Sequence, residues 1–306
     1  MSIITLKGLS KKYGKKTVVN NLSLEIKKSC FAFLGPNGAG KTTTLLMILG
    51  LIKPSKGEIT ILGKNIKNLS RQVRQKVGFL PENVGFYPSK TGRELVALIL
   101  ELRTKQKQTT EQIDSNLKWC GLKEEYWDKK TKSYSQGMRQ RLGIALAFAG
   151  NPEVVVLDEP FSNIDPLGRE DFINKIKVKQ KQGLTILISS HITSDIEKLA
   201  DTVTIIDNGV VKISDSIFSL MKNLEYDEYE IFSDKFQAND VITKINEIYS
   251  DKKEWFLERP TVLRDSLIVK TKFPNELKNY LENFNNIEMR PLTGVLQKIY
   301  KFTMEG

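Results

Sequence analysis

Two short stretches carry the residue types that phosphate chemistry needs. In GPNGAGKTT, Gly35 to Thr43, the residues Gly35, Gly40, Lys41 and Thr42 complete the pattern G-x-x-x-x-G-K-[ST]. Glycines in such a loop let successive backbone N–H groups approach phosphate oxygens and tolerate positive φ. Asn37, Gly38, Ala39 and Thr43 complete the loop around the anion. A helix starting at its end would aim its positive pole at the same ligand. Lys41 adds a point charge for the β- and γ-phosphates, and the Thr42 hydroxyl is placed to ligate Mg²⁺. The second stretch, VVVLDEP, ends an apolar run in Asp158 and Glu159. Neighbours on a strand point to opposite sides, so the two carboxylates take different tasks. Asp158 would hold Mg²⁺ through water, and Glu159 would polarise an attacking water. The single histidine of the chain, His191, closes another apolar run, LTILISS. Alone it reads as a structural residue, but imidazole can also donate at one nitrogen and accept at the other.

These groups need a scaffold that delivers them to one edge. SCFAFLG (29–35), VGFLP (77–81), EVVVLDEP (153–160) and LTILISS (184–190) read as buried strands. Between them lie helical patterns at 42–52, 91–104, 136–150 and 169–183. Continuous apolar strands alternating with helices predict an α/β fold with a mostly parallel sheet covered on both faces. Ligands of such sheets bind at the carboxyl ends of the strands, where Lys41, Asp158, Glu159 and His191 all fall. VTIIDNGVVKI (203–213) predicts a hairpin turning at Asn-Gly. The N-terminal SIITLKGLSKKYGKKTVVNNLSLEI alternates in short pieces and predicts an antiparallel edge.

The 306 residues are 40% hydrophobic, enough for a core, and contain two cysteines, too few for a disulfide framework. No apolar run has the length of a signal peptide or a bilayer span, which predicts a soluble chain in a reducing compartment. The net charge of +11 is uneven. Residues 1–214 hold 34 Lys/Arg against 20 Asp/Glu, whereas residues 215–306 hold 13 against 16. The basic part suits nucleotide phosphates, lipid headgroups or nucleic acid, and charge alone does not choose among them. The reversal predicts two domains, 1–215 and 216–306, with a boundary near 215–225. In the second, EYEIFS and SLIVKTKF mix with helical pieces, so a small α/β accessory domain is expected. No residue there has catalytic or metal-ligand spacing.

The phosphate loop, YSQGMRQRL, VVVLDEP, SNIDP and the strand-ending His191 occur in that order. Together they resemble the ATP-binding subunit of ABC transporters over roughly residues 3–215. The resemblance implies a P-loop NTPase core with an inserted helical subdomain, about 83–150, and a head-to-tail dimer holding two ATP molecules. It implies adenine stacking for Tyr13, contact of Ser135 and Gly137 with the γ-phosphate of the opposite ATP, and communication between sites for Asp165. It casts His191 as the switch that bonds the γ-phosphate and orients the attacking water. The family usually has glutamine where Glu82 stands; glutamate could still ligate the metal but adds a charge. Gln136 replaces a glycine of the usual LSGGQ. Both departures are similar to the exporter-type branch, which handles drugs, peptide antibiotics, lipids or ions. The closing MRPLTGVLQKIYKFTMEG resembles the last helix of many such subunits.

The reading is therefore an ATPase at the cytoplasmic face of a membrane, peripheral, driving a polytopic permease made of separate chains. It would dimerise with itself or with a different subunit on ATP binding. NVGFYP, with Phe86 and Tyr87, would receive a cytosolic helix of the permease or simply pack the hinge. The alternatives are an importer subunit, or a soluble ATPase of the superfamily acting on ribosomes or nucleic acid. Ribosome-acting relatives usually carry two such domains, and DNA-repair relatives a long coiled coil between the motifs; neither is read here, and the 94 residues from Lys41 to Ser135 leave room for only a small helical subdomain, so no nucleic acid is expected.

Overall fold

The computed structural model describes residues 2–68, 71–222, 227–232, 238–263, 266–282, 287–291 and 294–305. The chain divides into two compact units, Met1–Ile217 and Phe218–Gly306. Of the region 215–225 in which the boundary was expected, 223–225 lie outside the described residues.

The first unit begins with β1 (Ser2–Tyr13), β2 (Lys16–Lys27), β3 (Cys30–Leu34), α1 (Lys41–Ile48), β4 (Lys56–Ile61) and β5 (Lys64–Asn65). It continues with α2 (Arg71–Gln75), β6 (Val77–Leu80), α3 (Gly92–Thr104), α4 (Thr110–Trp119), α5 (Gln136–Phe148) and β7 (Val154–Asp158). Then come α6 (Pro166–Lys181), β8 (Thr185–Ser190), α7 (Thr193–Leu199), β9 (Thr202–Asp207) and β10 (Val210–Ser216). A six-stranded sheet runs β10-β9-β3-β8-β7-β6. It is parallel except at β9–β10. The apolar runs CFAFL, VVVLD and TILISS are buried along their whole length, as strands covered on both faces must be. The β9–β10 hairpin turns at Asn208 and Gly209, both at positive φ, the pairing that a type I′ turn demands.

The N-terminal strands form an antiparallel sheet of their own, β2-β1-β4-β5. The Asn20 N–H donates to the Gly209 carbonyl of the β9–β10 turn at 2.9 Å. β1 and β2 run 12 residues each, longer than their broken alternation suggests. Register shifts at Leu6/Leu9, Leu9/Lys11 and Lys11/Lys12 explain the difference, because each bulge re-phases which side chains face inward. One core joins the two sheets and α1 through Leu6, Ile26, Phe33, Leu45, Met47 and Val156. Between β6 and β7 lies the helical part. Thr91 and Thr109 close capping boxes with Glu94 and Gln112 at the starts of α3 and α4. Leu95, Val96, Leu100, Ile113, Leu117 and Leu142 are buried from their three helices.

α8 (Ile217–Lys222) leads into β11 (Asp227–Phe232), α9 (Ala238–Asp251), β12 (Thr261–Leu263), β13 (Ser266–Thr271), α10 (Pro274–Leu281), β14 (Glu288–Pro291) and α11 (Val295–Glu305). The second unit holds an antiparallel sheet, β12-β13-β11-β14, over a core including Ile231, Ile245, Phe256, Leu267 and Leu277. EYEIFS falls on β11, with Ser233 outside the described residues, and SLIVKTKF falls on β13 as far as Thr271, with Phe273 capping α10. Of the closing segment 289–306, Val295–Glu305 form α11, whereas residues 289–291 belong to β14 and not to a helix; Leu292, Thr293 and Gly306 lie outside the described residues. Among the described residues no helix is long and apolar enough to cross a membrane.

Candidate nucleotide-binding site

Leu34 ends β3, and the chain turns through residues 35–40 into α1. Backbone crowding explains Gly35 and Gly40, and a positive φ of 84 explains Gly38. A Cβ at Gly35 would lie 2.1 Å from the Ile206 carbonyl of β9. Gly40 precedes α1 at φ 100, and its Cβ would lie 2.6 Å from the Val18 carbonyl. Ala39 is buried, and its carbonyl accepts from the Gly209 N–H at 3.0 Å. The loop thus rests on β2 and on the β9–β10 turn. Lys41, buried, donates from Nζ to the carbonyls of Gly35 at 2.7 Å and Pro36 at 3.1 Å.

A cleft of about 280 Å³ opens over this loop, lined by Asn37, Gly38, Gly40, Lys41, Thr42, Thr43, Glu82, Glu159 and Val18. Concavities of about 440, 460 and 650 Å³ elsewhere contain none of these residues. Size therefore does not pick out the site; the convergence of charge does.

Lys41, Glu159 and His191 follow β3, β7 and β8, three adjacent parallel strands, at their carboxyl ends. Lys41 Nζ lies 3.7 Å from Glu159 Oε1, and His191 Nδ1 lies 3.1 Å from Glu159 Oε2. Glu159 is 11% exposed, and its Oε1 is buried with no hydrogen-bond partner. The residue has φ 46, a left-handed conformation costly for a side chain of this size. Asp158 is buried and accepts from the Ser189 hydroxyl, which in turn accepts the Glu159 N–H at 3.2 Å. Burial pushes the Lys41 ammonium below its usual range, opposed by the carboxylates of Glu159, Asp158 and Glu82. One cation thus faces three carboxylates, an excess of negative charge. Among the described residues no group of three or more His, Cys, Asp and Glu is arranged to hold a metal by itself.

The other sequence-selected residues do not line the cleft. Tyr13 ends β1, half exposed, with Lys11 Nζ 4.8 Å from its ring centroid. Ser135 caps α5, accepting the Met138 N–H at 3.2 Å. Gly137 packs so closely that its Cβ would lie 2.9 Å from the Asn163 carbonyl. Asp165 caps α6 by accepting the Gly168 N–H, and Arg141 reaches its Oδ1 at 2.9 Å. These contacts, the Gly168 N–H first, hold the Asp165 carboxyl below the ordinary range.

Sequence reasoning passed over three neighbours. Ser189 bridges Asp158 and Glu159, Gln140 donates to the Pro160 carbonyl at 2.8 Å, and Arg141 holds Asp165. Gln140 and Arg141 stand in the quoted YSQGMRQRL without an assigned role, and Gln140 has a further signal: it stands four residues before Ile144 and eight before Phe148, a polar residue on a buried helical stripe.

The model of the family described as ABC transporter matches residues 19–162. The bacitracin transport ATP-binding protein BcrA of Bacillus licheniformis is 39% identical over 242 residues, 78% of this chain and 77% of that one. BcrA of Enterococcus faecalis is 36% identical over 239 residues, 77% of each. This chain is an ABC transporter ATP-binding protein. The Nod factor export ATP-binding protein I of Burkholderia orbicola is 36% identical over 207 residues, 67% of this chain and 68% of that protein. Among solved structures, the cassette MJ0796, a dimer in a post-hydrolysis state bound to ADP and Pi, superposes with a TM-score of 0.66 at 26% identity, covering 70% of this chain and 98% of that one. Our cassette has the α/β fold of these P-loop ATPases and is itself an ATPase that binds nucleotide. Subunits of this kind dimerise and work with separate membrane components.

Proposed function

We propose that this cassette hydrolyses ATP with Mg²⁺ at the cytoplasmic face of a membrane and thereby drives export through a separate polytopic permease. The observation that carries the chemistry is the run Lys41–Glu159–His191, with contacts of 3.7 and 3.1 Å across three adjacent strand ends. The phosphate loop binds the triphosphate through the N–H groups of residues 37–43 and the N-terminus of α1. Lys41 exchanges loop carbonyls for the β- and γ-phosphates. Tyr13 stacks on adenine. Glu159 turns Oε1 to the attacking water once Lys41 leaves it for the phosphates, while His191 steadies Oε2 through Nδ1; as an imidazolium, with both ring nitrogens donating, His191 also offers Nε2–H to the γ-phosphate.

Thr42, Asp158 and Glu82 would hold Mg²⁺. Carboxylates with a hydroxyl, completed by phosphate oxygens and waters, form the donor set this ion takes in phosphoryl-transfer sites. The ion would supply charge neutralisation on the transferring phosphate. The excess of carboxylates around Lys41 fits that requirement.

Ser135 and Gly137 lie away from this chain's own cleft, which supports a head-to-tail dimer in which they serve the opposite nucleotide, with Asp165 between the two sites. The permease would dock near 83–88, where Tyr87 is well exposed. Export is the reading favoured by the bacitracin and Nod factor relatives together with Glu82 and YSQGM. The second unit would serve dimer contact or regulation. Phosphate release by the purified cassette tests the chemistry: it should require Mg²⁺ and vanish on chelation. Turnover that persists in excess chelator would remove the metal from the account.

A further inference from the structure

The start of α5 lies along the loop that follows β7, joined at three places. The Gly137 Cα is so close to the Asn163 carbonyl that a Cβ would come within 2.9 Å. Gln140 donates from Nε2 to the Pro160 carbonyl at 2.8 Å, with the Glu159 carbonyl at 3.5 Å. Arg141 reaches Asp165 at 2.9 Å. Gln140 is 2% exposed, and an amide buried this deeply costs free energy unless it is hydrogen-bonded. Its partners are the carbonyls of Pro160 and Glu159, and the Glu159 backbone is itself in the left-handed region at φ 46. A strained residue of this kind persists only where its surroundings hold it. Ser162, whose hydroxyl donates to the Glu159 carbonyl at 2.9 Å, adds a second tie from within the loop.

We infer that Gln140 is a positioning residue for Glu159, fixing the aim of its carboxylate and joining it to the helix that begins at Ser135. The inference rests on Glu159 being the residue that polarises water. The helix that would meet the opposite nucleotide and the carboxylate of the chain's own site are then one mechanical body. A shift of α5 on engaging the partner's nucleotide moves the Pro160 carbonyl, and with it Glu159. Each site would be set by occupancy of the other through the contact between Gln140 and the Pro160 carbonyl.

Gln140→Met keeps length and removes the donor. The expected result is kcat lowered about tenfold with nucleotide affinity unchanged, since sub-ångström misplacement of a reacting group is felt in turnover before binding. The decisive readout is the same change on a Glu159→Gln background. If Gln140 acts through Glu159, the residual turnover of Glu159→Gln does not fall further when Gln140→Met is added. A full additional tenfold loss on that background, or normal kcat in the single variant, overturns the inference. A Glu159→Gln protein with normal turnover would instead refute the role of Glu159 itself. If Gln140→Met does not fold, as judged by lost nucleotide binding, Gln140→Asn, which keeps the amide but cannot span the gap, replaces it with the same expectations.

Discussion

Replacing Glu159 by glutamine changes almost no atoms and removes one charge from the centre of the site. The carboxylate is 11% exposed and 3.7 Å from the Lys41 ammonium. At an effective dielectric of about 20, that pair is worth about 4 kcal/mol of direct attraction before desolvation is subtracted. The same carboxylate repels phosphate oxygens entering the cleft that it lines. Two effects of opposite sign follow for Glu159→Gln. Nucleotide binding should hold or tighten, because Lys41 is freed from its internal partner and a negative neighbour of the phosphates is gone. Turnover should fall by about 10² to 10⁴, the range expected when a general base is lost. The ATP-bound dimer should then accumulate. Phosphate release under saturating ATP, nucleotide titration and size-exclusion chromatography with and without ATP measure the three. Turnover within about threefold of the parent would refute the reasoning, as would a large loss of nucleotide affinity.

Lys41→Ala should weaken ATP binding at least tenfold (about 1.4 kcal/mol) through loss of a charge-assisted contact; unchanged affinity in a titration would refute the phosphate-loop assignment. Gly35→Ala should lower the melting temperature and the nucleotide affinity together, since a Cβ 2.1 Å from the Ile206 carbonyl forces apart two backbones at a cost of about 1–3 kcal/mol or more; an unaltered melting curve would contradict it. Asp195 provides a pH test. Burial holds its carboxyl above the ordinary range in spite of Arg169 and Lys198. The folded chain therefore binds that proton more tightly than the unfolded chain, and the associated stability is present below the unfolded value and lost as pH rises through the folded one. Asp195→Asn should remove this component, so its melting temperature should gain on the parent as pH rises from mildly acidic to neutral; a pH-independent difference would refute it.

The strand ends were legible because buried parallel strands are spelled in continuous apolar runs, and each of Lys41, Glu159 and His191 stands just beyond one. The Asn208-Gly209 hairpin was equally plain, since its turn type requires that dipeptide. β1 and β2 were read as short pieces because bulges break the two-residue period while the strands continue. α4, TEQIDSNLKW, escaped notice because it buries only Ile113 and Leu117, a stripe too narrow to stand out from its polar surroundings. Its Thr-x-x-Gln cap was the available signal. The contacts of Ser189 and of Arg141, although Arg141 stands in YSQGMRQRL, were not readable, as they come from what lies across the fold: a hydroxyl between Asp158 and Glu159, and a guanidinium on a helix cap. Gln140 was legible only as a polar residue where the helix called for an apolar one.

The claim that everything else serves is that this ATPase drives a separate membrane permease. The most direct measurement is purification of the tagged chain from gently solubilised membranes of its own cell, with identification and stoichiometry of what accompanies it. The account predicts a polytopic membrane protein at a fixed ratio to the cassette. Recovery of ribosomes or DNA with no membrane partner would contradict it, while leaving the nucleotide site to be judged by Glu159→Gln.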